Sequence, residues 1–412
     1  MKHVCLFLLL FLLAGCNAGS GNSETSPVPM PIHTSAATAP SNALPADGEA
    51  MPSVVWPEPT STPMPEPDPI ATLLATMTLE EKLGQMFICA FRVDPDGKGI
   101  TAVNEKSTAF IEHYGIGGVI LFSENITGAE QISDYIAHMQ ALARIPLFIA
   151  IDEEGGRVTR TRSLDEPTIP PAAQIGQAGD TGLAYRYGAD IADYLKLYGF
   201  NLDFAPDADV NANPHNPVIG DRSFSDDPVT AGKMASAFAS GLTDHGIYAA
   251  LKHFPGHGNT VKDSHHGIAS VQSELDDMRS MELIPFQMGI DAGVPFVMVG
   301  HLSTPNVTGN YEPAIFSSFW VTDMLRNEMG FTGVAITDAL DMGAVTQHYA
   351  PGEAAVKAVT AGIDILLMSE SFDEAYNALL TEVTNGHITM ERIDQSLTRI
   401  LTAKMKFLGI SS

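Results

Sequence analysis

Eight short apolar runs recur along the chain, each long enough for a strand, and most are separated by a stretch long enough for a helix. They are Met86–Phe91, Gly117–Phe122, Pro146–Asp152, Phe200–Ala205, Tyr248–Phe254, Phe296–His301, Gly333–Asp338 and Asp364–Met368. Most are continuous rather than alternating in polarity, as expected of parallel strands covered on both faces. Segments with helical character lie between them, among them Ala129–Ala143, Thr181–Tyr198, Val229–Thr243 and Leu283–Ala292. The pattern predicts an α/β fold: a single (β/α)8 barrel of the TIM type over residues 70–412. An open doubly wound sheet is the competing arrangement. The polar residues favour the barrel. Asp152, Asp207, Lys252, His253, His301 and Asp338 stand at or just after the ends of several different runs. A barrel gathers all of those ends around one mouth, whereas an open sheet unites only the ends near its switch point.

The chain before the first run is of another kind. Residues 1–15 carry Lys2, an apolar run from Val4 to Leu13 and then small residues. That run is too short to span a bilayer and predicts a secretory signal. Leu13-Ala14-Gly15-Cys16 resembles a bacterial lipobox, which implies cleavage before Cys16 and lipidation of its thiol; an ordinary cleaved signal is the alternative. Residues 16–69 then form a linker, holding twelve of the chain's 27 prolines among Ser, Thr, Ala and Glu. Such a composition is an extended stalk rather than a domain. These features predict an extracytoplasmic protein, lipid-anchored to a bacterial membrane; a monomer is the default expectation. Of the cysteines Cys5, Cys16 and Cys89, the last lies in an apolar stretch and is expected to be a buried core thiol. The formal charge of −27 disfavours nucleic acid as a partner.

Five polar stretches carry the chemistry. In "IDEEGGRVTR" (Ile151 to Arg160) two glycines permit a tight turn. Asp152 and Arg160 there can accept from and donate to a polyhydroxylated ligand, unless the stretch is only a turn with solvated charges. Asp207 and Asp209 of "NLDFAPDADVNANP" are expected to cap turns. Arg222 of "GDRSF" offers rigid paired donors on the presumed active face. Asp338 of "GVAITDALDMGA" is either the N-cap of the next helix or a nucleophile aimed into the barrel mouth.

The densest stretch is "KHFPGHGNTVKDSHHG", Lys252 to Gly267. It lacks phosphate-loop spacing. His253, His257, His265, His266 and Asp263 are possible metal ligands, yet no H-x-H, H-E-x-x-H or Cys-rich spacing accompanies them. Asp263 sits two residues before His265, where a carboxylate can orient an imidazole for proton transfer. A structural histidine is the plainer alternative.

Together, "DEEGGRVTR", "DRSF", the K-H-F-P-G-H-G…D-S-H run and "TDALDM", in that order along the chain, resemble glycoside hydrolase family 3, and within it the β-N-acetylhexosaminidase branch. The resemblance implies that Asp338 is the nucleophile and that His265 with Asp263 is the general acid/base. It implies that Asp152, Arg160, Arg222, Lys252 and His253 hold the terminal sugar, with no metal or cofactor. His257 and His266 receive no role, and His301 only a supporting one. Only Glu370–Ser412 follows the eighth run, so the second domain of many family members is expected to be absent. The reaction implied is retaining hydrolysis of a non-reducing terminal β-N-acetylglucosamine, with peptidoglycan fragments or chitin oligomers as sources. Competing readings are a β-glucosidase-type or phosphorolytic exo-glycosidase, a metal-dependent amidohydrolase and a solute-binding lipoprotein.

Overall fold

The computed structural model describes residues 68–260 and 267–408. The expected signal, Cys16, all of the proline-rich linker but Asp68 and Pro69, Asp263, His265 and His266 lie outside the described residues. Each of the eight apolar runs contains a strand: β1 Phe87–Ala90, β2 Gly118–Ile120, β3 Phe148–Ile151, β4 Leu202–Asp203, β5 Tyr248–Phe254, β6 Phe296–Val299, β7 Val334–Thr337 and β8 Leu366–Leu367. All pair in parallel, in chain order from β1 to β7, and β8 lies beside β1. Registers such as Cys89↔Val119 and Val119↔Ile149 continue around the sheet. A parallel bridge between Ile336 and Ile365, with Thr337 N–H donating to Ile365 O at 3.0 Å, brings β7 to β8. The sheet is therefore nearly closed into a barrel with its helices outside, as predicted. Two further pairs of residues, Ala269–Ser270 and Leu302–Ser303, form a small parallel ladder beyond it.

Local chemistry sets the helix ends. The helix Thr181–Tyr198 begins at Asp180, whose side chain accepts from Gly182 N–H, and stops at Gly199, whose φ of +93° is left-handed. Pro228–Asp244 starts with Asp227 capping Thr230 N–H and with proline in its first turn. Thr78 and Glu81 close a reciprocal capping box on Leu79–Gln85. No helix among the described residues is long and apolar enough to cross a membrane.

The base of the barrel is plugged by aromatic residues that open three strands. Phe148, Tyr248 and Phe296 lie edge to face, with centroids 5.4 to 6.1 Å apart. The last helix, Met390–Leu408, crosses beneath them, and Lys404 Nζ sits 4.9 Å from the Phe148 ring centroid. Cys89 is buried, and desolvation pushes its thiol far up, so it is a core thiol as expected. With the base filled, polar chemistry is left to the opposite mouth.

Candidate active site

At that mouth the strand ends line one pocket of about 270 Å³, whose charged and imidazole wall is Arg92, Asp152, Glu154, Arg160, Arg222, Lys252, His253, His257, Asp338 and Asp341, with apolar residues between. Every sugar-binding candidate named from the sequence is present, and Asp338 with them. Asp263 and His265 lie outside the described residues.

The β3 exit separates three consecutive acids. Asp152 faces the pocket, where Oδ1 accepts from Lys252 Nζ at 2.9 Å and Oδ2 lies 3.5 Å from Arg160 Nη2. Glu153 turns inward and accepts from the backbone of Arg160 at 2.7 Å, from Thr161 Oγ1 and from Tyr194 Oη. Glu154 turns sideways and takes both Nε and Nη2 of Arg222 at 2.8 Å, plus Lys252 Nζ at 2.6 Å. Gly155 makes the divergence possible. Its φ is +84°, and a Cβ there would lie 2.7 Å from Ile169. The glutamates are buried rather than solvated, which corrects the plain-turn alternative for this stretch. Arg157 points elsewhere, pairing with Asp221 at 2.9 Å.

The β4 exit corrects another expectation. Asp207 does cap a turn, accepting from Asp209 N–H at 2.9 Å. Asp209 does not. Its Oδ2 meets His253 Nδ1 at 2.8 Å and its Oδ1 accepts from His257 N–H at 2.6 Å. Spacing along the chain cannot reveal this, because β5 brings those histidines alongside from more than forty residues away. Burial raises Asp209, but the hydrogen bond and charge of His253 outweigh it and its pKa falls. Burial lowers His253, and Asp209 more than restores it, so that imidazole is shifted up. His257 differs: burial outweighs Asp209, its pKa falls to about 4, and Nδ1 lies 2.8 Å from Thr260 Oγ1. Burial and the charge of Asp209 lift Asp207 to about 7 against the pull of Arg222.

Asp338 follows β7. Its N–H donates to Val299 O and its Oδ1 accepts from Ala339 N–H, both at 2.8 Å. The next helix, Gly343–Thr346, is preceded by Met342, so Asp338 is not an N-cap. Burial pushes its carboxyl up, but the charges of His301 and His253 and the Ala339 N–H prevail, and its pKa is lowered. The carboxylate is thus ionised at neutral pH. His301, fully buried, fixes its ring by donating from Nε2 to Ala339 O at 2.7 Å.

Among the described residues one group, Asp207, Asp209 and His253, brings metal-type ligand atoms within 4.8 Å of one another. The geometry does not favour an ion there. Asp209 already binds His253, and the Arg222 guanidinium lies 3.5 Å from Asp207 Oδ2 as a built-in counter-charge.

Residues 78–403 match the model of the glycosyl hydrolase family 3 N terminal domain. The chain belongs to that family. Beta-hexosaminidase A of Pseudoalteromonas piscicida is 33% identical over 368 residues, covering 80% of this chain and 61% of that protein. The beta-hexosaminidase LpqI of Mycobacterium tuberculosis is 33% identical over 365 residues, or 84% of this chain and 88% of that protein. The structure of a family 3 beta-N-acetylglucosaminidase from Paenibacillus superposes with a TM-score of 0.78 at 36% identity, covering 82% of this chain and 64% of the other. The chain thus spans less than two thirds of the Pseudoalteromonas and Paenibacillus proteins. These likenesses agree with the family read from the motifs and the barrel read from the apolar runs. Glu154 and Asp209 are the site residues that sequence reasoning undervalued, whereas His301 supports Asp338 as expected.

Proposed function

We propose that this protein is a retaining exo-glycosidase that removes a non-reducing terminal β-linked N-acetylglucosamine. The observation that carries the reading is the placement of Asp338. It is a carboxylate held ionised at the end of β7, in a pocket whose wall presents Lys252, Arg222, Arg160 and Asp152. The names of its beta-hexosaminidase relatives support the same substrate class.

In the first step an Asp338 oxygen attacks the anomeric carbon while His265, oriented by Asp263, gives its proton to the departing glycosidic oxygen. The carbon–oxygen bond to the aglycone breaks as the glycosyl–Asp338 ester forms. In the second, His265 takes a proton from water, and the resulting oxygen displaces Asp338 and frees the sugar. Asp152 accepts from sugar hydroxyls, Lys252 and the two arginines donate to them, and His253, its Nδ1 held by Asp209, borders them.

The setting follows from the chain's beginning. With Cys16 lipidated and a proline-rich stalk behind it, the enzyme stands outside the cytoplasm on a bacterial membrane. There it meets peptidoglycan fragments or chitin oligomers. Replacing Cys16 by Ser is expected to move the protein from the membrane fraction to the soluble one; retention would overturn the anchor.

Trapping with a fluorinated N-acetylglucosaminyl fluoride tests the chemistry. The label is expected on the peptide that contains Asp338, and label on any other peptide would overturn the assignment.

A further inference from the structure

Glu154 takes no part in the reaction as described, yet it lines the pocket, is 6% exposed and contacts two of the residues assigned to the sugar. We infer that Glu154 is a positioning residue: one carboxylate that aims Arg222 and Lys252 at the terminal sugar. This rests on the proposed function.

The contacts divide the donors of both cations into a spent set and a free set. Arg222 gives Nε and one Nη2 hydrogen to Glu154 in a two-point fork, which fixes the plane of the guanidinium. The remainder of Nη2 faces His253 Nε2 at 3.4 Å and Asp207 at 3.5 Å. Among the described residues Nη1 reaches protein only through Val218 O at 3.5 Å, so it is the edge left for a ligand oxygen. Lys252 has three N–H groups. Asp152 takes one at 2.9 Å and Glu154 another at 2.6 Å, which leaves one for the sugar.

Charge makes the arrangement depend on Glu154 in particular. Lys252 is buried and the Arg222 side chain is only 12% exposed, and the two lie close enough to repel each other. Glu154 is bonded to both, so it turns a repelling pair into a joined one. Asp152 cannot substitute, because it reaches Lys252 but not Arg222 and also faces Arg160. Neighbouring Glu153 cannot either, since its carboxylate is spent on Arg160 N–H, Thr161 and Tyr194.

A residue that acts through Arg222 should be non-additive with it. The experiment compares wild type, Glu154→Gln, Arg222→Ala and the double variant. It measures kcat and KM on a chromogenic β-N-acetylglucosaminide and Ki for free N-acetylglucosamine. Glu154→Gln is expected to raise KM and Ki together by about tenfold or more. The double variant is expected to exceed Arg222→Ala by no more than about twofold. Multiplying effects would overturn the inference, as would unchanged KM and Ki in Glu154→Gln, because a merely structural glutamate would shift the unfolding midpoint without that signature. If Glu154→Gln does not fold, Glu154→Asp, which keeps the charge and shortens the reach, enters the same cycle and is judged by the same rule. Failure of the wild type to act on the N-acetylglucosaminide would overturn the proposed function and this inference with it. An additive cycle in an active wild type overturns this inference alone.

Discussion

The two ends of the barrel both bury charge, and they do so to opposite effect. At the mouth, Lys252 and Arg222 are surrounded by Asp152, Glu154 and Asp207, but each cation keeps a donor edge toward the pocket. At the base, Asp364 is fully buried under three arginines, with Arg326 at 2.5 Å, Arg399 at 3.0 Å and Arg392 at 4.0 Å. Spare donors there go to backbone oxygens: Arg326 to Phe331 and Gly333, Arg392 to Val359 and Ile363. Lys404 likewise donates to Gln85 Oε1 at 2.7 Å and Gly117 O at 2.8 Å. Burial of a charge therefore does not mark a binding site. What marks it is a donor or acceptor that the protein leaves unused beside a cavity.

Four substitutions test that contrast. Asp338→Asn should lower kcat by about 10³-fold or more and leave the unfolding midpoint almost unmoved. Appreciable residual turnover would place the nucleophile elsewhere. Asp364→Asn at the base should do the reverse. Removing the shared counter-ion of three guanidiniums is expected to cost about 3–5 kcal/mol in denaturant unfolding, with kcat/KM of the folded fraction unchanged. A changed KM would mean that the two ends are coupled. Lys404→Met, which leaves the Gln85 and Gly117 oxygens without their donor, should cost about 1–3 kcal/mol, again without a change in KM.

The smallest effect concerns Asp207. Its folded pKa of about 7 lies above the ordinary aspartate value of 3.8, so the folded state holds a proton that the unfolded chain releases. Stability from this group falls as pH rises between those values and is level above them. Asp207→Asn lacks that loss, so its unfolding midpoint relative to wild type should climb from pH 4 to pH 7. A pH-independent difference would show that Arg222 holds Asp207 ionised throughout.

The strands were legible because a strand buried on both faces must be a run of apolar residues, and nothing else here is so short and so continuous. The helix Thr181–Tyr198 was legible to the residue, since Asp180 and Gly199 mark its ends chemically. Asp338 and the other pocket residues could be named in advance because barrel topology brings strand exits together. The roles of Glu153 and Glu154 were not legible. The two are adjacent and identical in type, and only Thr161 and Tyr194 on one side and Arg222 and Lys252 on the other tell them apart. Asp209 was hidden for a related reason, because an aspartate near proline and asparagine has the local look of a turn. The second glycine of the K-H-F-P-G-H-G run reads as flexibility in sequence. In three dimensions Gly258 is a point of contact, where a Cβ would fall 1.6 Å from Val210 O.

The helix Met390–Leu408 has a consequence for the order in which the molecule comes into being. Lys404 reaches Gln85 across 319 residues of chain, and Phe87 of the first strand finds its second neighbour only in Leu366 of the last. A growing chain can lay β1 to β7 side by side, yet it leaves both outer edges unpaired until almost all of the polypeptide exists. Closing so long a loop is entropically costly and slow. The ring of strand ends that forms the pocket is completed by β8, so binding should be the last property the molecule acquires.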